Sequence, residues 1–136
     1  MKNLFYRIYL FFWNLEYIII TDNIGNGALG AAFYPHIYIS KRVRHRKQFD
    51  RVVNHERIHH AQQIELLVVP FLIWYYAEYL YYFIIKLDKY AAYRSIRFER
   101  ECFQNEKDLN YLAKRKPYNY LFPVKKTRKK RSRVVS

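Results

Sequence analysis

The chain has 136 residues, of which 51% are hydrophobic, a length that accommodates one domain with a single core and excludes a second large one. Fifteen Tyr and ten Phe against three Gly and four Pro describe aromatic-faced helices, and the single Cys102 excludes an internal disulfide framework. The formal charge of +14 is clustered at Lys41–Lys47, Lys114–Lys116 and Lys125–Arg133, a distribution that attracts anionic surfaces such as lipid head groups or nucleic-acid phosphates.

In chain order, the apolar run from residue 3 to about 20 reads first as a helix lying on the core or at a membrane interface. Arg7 inside that run and the early Asn14 and Glu16 argue against a cleaved signal peptide. Tyr17 to Thr21 is β-branched and suits a strand. The turn formers Asp22 to Gly27 then reverse the chain. Alternating Ile and Tyr in His36-Ile37-Tyr38-Ile39-Ser40 predict a strand, and the preceding Pro35, which cannot donate to a ladder, places it at a sheet edge.

From Phe49 the period becomes helical, with Val52, Val53, Ile58, Ala61, Ile64 and Leu67 covering one face. Leu66 to Ile85 follows as twenty residues with one charge, Glu78, and one proline, Pro70. Its length suits a bilayer span, while its five tyrosines equally suit an interfacial helix, and the chain's negative mean hydropathy argues against a largely embedded protein. Ala91 to Lys114 reads as one more helix, ended by Pro117. Residues 1–122 thus form one domain, including the apolar segments 3–20 and 66–85, and 123–136 a basic tail without apolar periodicity.

Concentrated chemistry occurs once, in Asn54-His55-Glu56-Arg57-Ile58-His59-His60. Four residues apart on a helix, His55 and His59 project from the same side and can share one Zn²⁺. An ion held there acidifies a water, and Glu56 is placed to take its proton as it attacks a peptide carbonyl, then to pass it to the leaving amine. A third ligand must point inward from another element. In Arg97-Phe98-Glu99-Arg100-Glu101, Glu99 shares a stripe with Ile96 and Phe103 and is preferred, whereas Glu101 falls with Arg94, Arg97 and Gln104. His60 and Glu101 are candidates for outer support of the site. Glu78 is either such a partner or a group reaching water at a membrane boundary. Gln62 and Gln63 fit a position near the site or a solvated face, His36 and His45 read as strand and loop residues, and Cys102 as a small buried side chain.

The succession of the Pro35–Ile39 strand, His55-Glu56-x-x-His59, a long apolar segment and Phe98-Glu99-Arg100-Glu101 resembles the core of membrane-bound gluzincin metallopeptidases: the BlaR-like antibiotic-sensor, HtpX-like and CAAX-processing families. The resemblance spans about residues 27 to 106. It implies a minimal zincin-like α+β fold, mainly helical, with a short β-hairpin or edge strand before the motif helix and a glutamate-bearing later helix. It also implies Zn²⁺ on His55, His59 and Glu99, with Glu56 as base and a peptide or protein substrate paired along Ile37, Tyr38 and Ile39. Downstream of the glutamate those families carry Ala-Asp, where this chain has Cys102 and Phe103, so an aspartate that orients a histidine is missing.

The expected activity is therefore zinc-dependent peptide-bond hydrolysis at or near a membrane, with a non-catalytic zinc-stapled scaffold as the alternative. Anionic lipids are the expected partners of the basic clusters. Specific nucleic-acid binding is not expected, because the aromatics lie in apolar runs instead of alternating with the basic residues. A bacterial inner membrane with the basic tail in the cytoplasm follows from the resemblance and the positive-inside tendency.

Overall fold

The computed structural model describes residues 4–122 apart from Asn23, Asn26 and Arg44; the basic tail 123–136 lies outside the described residues. The chain is mainly helical with one three-stranded sheet. A first helix, α1 (Leu4–Trp13), leads into β1 (Tyr17–Thr21), β2 (Gly30–Phe33) and β3 (His36–Ser40). Two long helices follow, α2 (Arg46–Leu66) and α3 (Val68–Lys86), then the short α4 (Lys89–Ser95), α5 (Arg97–Asn105), α6 (Tyr111–Lys114) and a 3-10 turn at Asn119–Leu121.

The strand order is β1-β3-β2. Strand β3 pairs in parallel with β1, from Tyr17 opposite His36 to Thr21 opposite Ser40, and antiparallel with β2, from Gly30 opposite Ile39 to Phe33 opposite His36. The expected hairpin is therefore present, but the expected edge strand is the middle one. Pro35 sits in the turn between β2 and β3, outside the ladder, so its missing N–H leaves both sides of β3 free to pair. Ile37 and Ile39 point under α2 and pack with Val52 and Val53.

Helix α2 is capped by His45, whose Nδ1 accepts from the Gln48 N–H at 3.2 Å. It stops at Leu67, which adopts a positive φ of 66°, and α3 starts at once; Pro70 falls in its first turn, where the N–H has no helical acceptor to lose. The apolar segment read as Leu66–Ile85 is thus a separate helix turned away from α2. Leu87, left-handed with φ 53°, ends α3, and Asp88 caps α4 by accepting from Ala91 N–H at 2.6 Å.

The single helix expected over Ala91–Lys114 is three pieces. At Ile96 the backbone becomes extended, and the Glu78 carboxylate of α3 accepts from Arg97 N–H at 2.9 Å at the start of α5. The break lets Ile96 and Phe98 bury against Phe71 and Tyr120. Each of these side chains contributes on the order of 1.5–3 kcal/mol by leaving water, against about 0.5–1.5 kcal/mol for each helical hydrogen bond given up.

Helix α2 runs through the middle of the molecule. Its first half packs on the sheet, and its second half, with Ile58 and Ala61, packs on Cys102, Tyr111 and Leu112. Seven of its polar side chains, Asn54, His55, Glu56, His59, His60, Gln62 and Gln63, are buried. A helix buried on its polar side requires partners for those groups, and these partners build the site.

Candidate metal centre

His55 and His59 stand one turn apart on α2 with ring centroids 5.1 Å apart. Helix α5 brings Glu99 between them. His55 Nε2 lies 3.1 Å from Glu99 Oε2, and His59 Nε2 lies 3.1 Å from Oε1, so each carboxylate oxygen faces one imidazole. All three side chains are buried.

The opposite ring nitrogens are fixed from outside. His55 Nδ1 lies 2.7 Å from Glu106 Oε2, and His59 Nδ1 lies 2.9 Å from Gln62 Oε1. Gln62 in turn donates to Glu101 Oε2 at 2.8 Å. Glu101 is held by Arg115 Nε at 2.6 Å and by the Tyr111 hydroxyl at 2.7 Å, and Arg115 reaches on to Glu65. From α3, the Tyr75 hydroxyl donates to Glu99 Oε1 at 2.7 Å. Outer partners of this kind select the tautomer of a metal-binding histidine and hold its ring in plane with the ion.

Burial pulls the His55 imidazole down, but the hydrogen-bonding carboxylates of Glu106 and Glu99 outweigh it and push it up to about 10. His59 is also raised against the pull of burial, chiefly by the charge of Glu99. Burial raises Glu99 less than the two histidines lower it, so its carboxyl is held well below the ordinary range. The three groups form a charged cluster in which protons occupy the positions suited to a cation. Imidazole nitrogens, carboxylates and thiolates are donor types that bind divalent metal ions such as zinc. Among the described residues, His55, His59 and Cys102 form a group able to hold a metal ion, with ligand atoms within 4.8 Å of one another. The Cys102 sulfur lies 3.6 and 3.7 Å from the two ring nitrogens of His59. Burial, then the charges of Glu99 and Glu101, push its thiol well up.

Glu56 is buried beside this cluster, and burial raises its pKa. It faces β2. A Cβ added to Gly30 would stand 2.6 Å from Glu56 Oε1 and 2.7 Å from Val52 Cγ1, so glycine at this position is what lets the strand approach the carboxylate.

The sequence-derived trio His55, His59 and Glu99 is brought together, and Glu101 supports it through Gln62. His60 does not: its Nδ1 lies 3.0 Å from Glu16 Oε2 and its Nε2 3.0 Å from the His36 carbonyl, so it fastens α2 to the sheet. Glu78 also stands apart, bound to Trp74 and Arg97 at the α3–α5 junction. Ile37, Tyr38 and Ile39 lie on the middle strand, with both backbone edges paired. The carboxylate that faces His55 Nδ1 belongs to Glu106. Its position seven residues after Glu99 is two helical turns on, and Cys102 is one turn on, so a stripe drawn from Glu99 passes through both. Nothing in the local sequence marks Tyr75. No protein-family model, curated protein or solved structure matches this chain.

Proposed function

We propose that this protein is a zinc-dependent metallopeptidase of minimal gluzincin type acting at a membrane surface. The observation that carries the reading is the pair of 3.1 Å approaches from the Glu99 carboxylate to His55 and His59 Nε2, made from separate helices inside a buried cluster. His55, His59 and Glu99 would hold the ion, which when bound acidifies water and polarises a carbonyl. Glu56, whose burial raises its proton affinity, takes the proton of the attacking water and delivers it to the leaving amine. Tyr75, by donating to Glu99, holds that carboxylate toward the histidines.

The substrate-pairing role belongs to β2 on this reading. Leu29 accepts from Ser40 N–H, so its amide faces β3, and by alternation Gly30 and Ala32 face outward. The Ala32 carbonyl is taken by Gln63 Nε2 at 3.0 Å, which leaves Gly30 as the outward-facing backbone next to Glu56. An extended peptide laid on that edge passes the base.

Membrane contact is supported by α3, which is long and apolar enough to cross a bilayer. Phe71, Trp74, Tyr75 and Glu78 turn one of its faces to the protein. The opposite stripe, Val69, Ile73, Tyr76, Leu80 and Ile84, is exposed to solvent at 57% or more. A cavity of about 490 Å³, whose lining includes Arg100 and Lys116 together with Glu101, offers positive charge to anionic head groups.

Zinc analysis of the purified chain, expected to give one ion per chain, tests the reading. His55→Ala should lose the metal, and Glu56→Gln should keep metal and fold but lose cleavage of an unstructured protein substrate. A wild-type chain that binds no zinc, or a Glu56→Gln variant that cleaves as wild type does, overturns it. Burial of the whole cluster and the nearness of Cys102 favour a second reading, a zinc staple joining α2 to α5 without catalysis. Stoichiometric zinc with no cleavage by the wild type would select it.

A further inference from the structure

We propose that the cavity between α5, α6 and the 3-10 turn binds the phosphodiester headgroup of a phospholipid, with Arg100, Lys116 and the Tyr120 hydroxyl as its contacts. The proposal rests on the membrane reading of the preceding subsection and names the lipid chemistry that reading leaves open. At about 490 Å³ the cavity falls within the roughly 300–1,000 Å³ of small-molecule sites. Five cationic side chains line it, and three are already engaged. Arg97 binds Glu78, Lys114 binds Asp108, and Arg115 is held between Glu65 and Glu101. Arg100 and Lys116 are exposed and have no carboxylate partner among the described residues. Five cations against the four carboxylates Glu65, Glu78, Glu101 and Asp108 leave a single positive charge in excess. That balance matches a phosphodiester, which carries one negative charge, and falls short of a phosphate monoester, which carries about 1.5 to 2 near pH 7.

An independent observation marks the same place. Tyr120 lines the cavity and is buried, and its hydroxyl has no hydrogen-bond partner among the described residues. A buried donor left unpaired is a standing cost, which a phosphate oxygen removes by accepting a charge-assisted hydrogen bond. Arg100 adds a planar fork of donors and Lys116 a point charge, the two cationic groups that bind phosphate oxygens. The surroundings favour a lipid over a soluble ester. Tyr120 and Arg97 both reach Trp74 of α3, the Tyr120 ring at 6.1 Å between centroids and the Arg97 guanidinium at 5.0 Å from the indole. The cavity therefore borders the helix whose outer stripe is apolar. Phe122 lines the cavity and is exposed, as is Leu121 beside it, so the glycerol and acyl portion of a lipid has an apolar surface to follow outward.

Calorimetric titration of the full chain with dihexanoyl-phosphatidylglycerol, a short-chain lipid kept monomeric in solution, tests this without a bilayer. One lipid is expected to bind per chain, and inorganic phosphate and glycerol 3-phosphate are expected to bind more weakly. Tyr120→Phe and the double variant Arg100→Gln, Lys116→Gln should each weaken the lipid by about tenfold or more, since each loses hydrogen bonds to a charged group. Tyr120→Phe should leave the melting temperature of the ligand-free chain no lower than that of the wild type, because the hydroxyl has no partner to lose. The basic tail is present in every variant, so lipid held by the tail alone would survive both substitutions. Affinity unchanged by both variants, or no one-to-one binding by the wild type, overturns the proposal. Inorganic phosphate or glycerol 3-phosphate binding as tightly as the lipid overturns it as well. Neither a vesicle nor added zinc enters the measurement, so its failure is distinct from that of the peptidase and membrane readings, which zinc content, cleavage and vesicle sedimentation decide.

Discussion

Glu106 and Gln62 orient the two histidines of α2: each imidazole has one nitrogen turned to Glu99 and the other tied down. Loss of such an outer carboxylate typically lowers metal affinity by about 10–100-fold. Glu106→Ala is expected to weaken zinc binding by that factor in competition with a chelator, and unchanged affinity would remove Glu106 from the site. The metal-free cluster also has a pH signature. His55 is raised from 6.5 to about 10, so its contribution to stability is complete below pH 6.5 and disappears as the pH rises through about 10. Calorimetry of the metal-free chain should show its melting temperature falling over that window, more steeply than in Glu99→Gln, where one of the carboxylates that raise His55 is gone. On the proposed function, zinc displaces that proton, so zinc binding at pH 7 should release protons, detectable as a dependence of the titration enthalpy on the buffer.

Among the elements, α2 carries most of the consequence because it is in contact with the sheet on one side and with α5 on the other. His60, Gln63 and Arg57 attach it to β3, β2 and Glu16 respectively, and this fixes the height at which Glu56 meets Gly30. Burial works against the Glu16 carboxylate, but hydrogen bonds from His60 and Arg57 still hold its pKa low, so this attachment persists through the neutral range. Gly30→Ala forces a methyl into the space of Glu56 Oε1 and Val52 Cγ1, an overpacking that costs about 1–3 kcal/mol. Its melting temperature should fall, and on the proposed function its cleavage activity should fall further than stability alone explains, since the Glu56 carboxylate is displaced. Full activity in a folded Gly30→Ala chain would contradict the placement of β2 beside the base. The break at Ile96 belongs to the same scale. Without it, α5 would continue the direction of α4, and Glu99 would not be turned between the histidines. Glu78, the only charge in the apolar run Leu66–Ile85, stabilises that break by receiving Arg97 N–H.

For the whole molecule, α3 is both a wall of the site, through Tyr75, and an outward apolar stripe. Replacing Ile73 and Leu80 with Glu is expected to abolish co-sedimentation with vesicles containing anionic lipid while leaving zinc content unchanged, since neither side chain faces the site. Retained sedimentation would separate this stripe from membrane binding.

What the sequence determined by itself was whatever depends on helical and strand period. The four-residue spacing puts His55 and His59 on one side of α2, the stripe with Ile96 and Phe103 turns Glu99 inward, and the alternation of Ile37 and Ile39 makes β3 a strand. These relations are set within a few residues by backbone geometry. The tertiary structure decided the rest. That β3 is central depends on β1 arriving in parallel from across the turn-rich loop. Whether His60 and Glu78 serve the site or hold elements together depends on where β3 and α5 lie. The closeness of Glu106 and Cys102 to histidines more than forty residues earlier exists through the packing of α5 on α2. Contacts of that range follow from which surfaces exclude water together, and local period does not encode them.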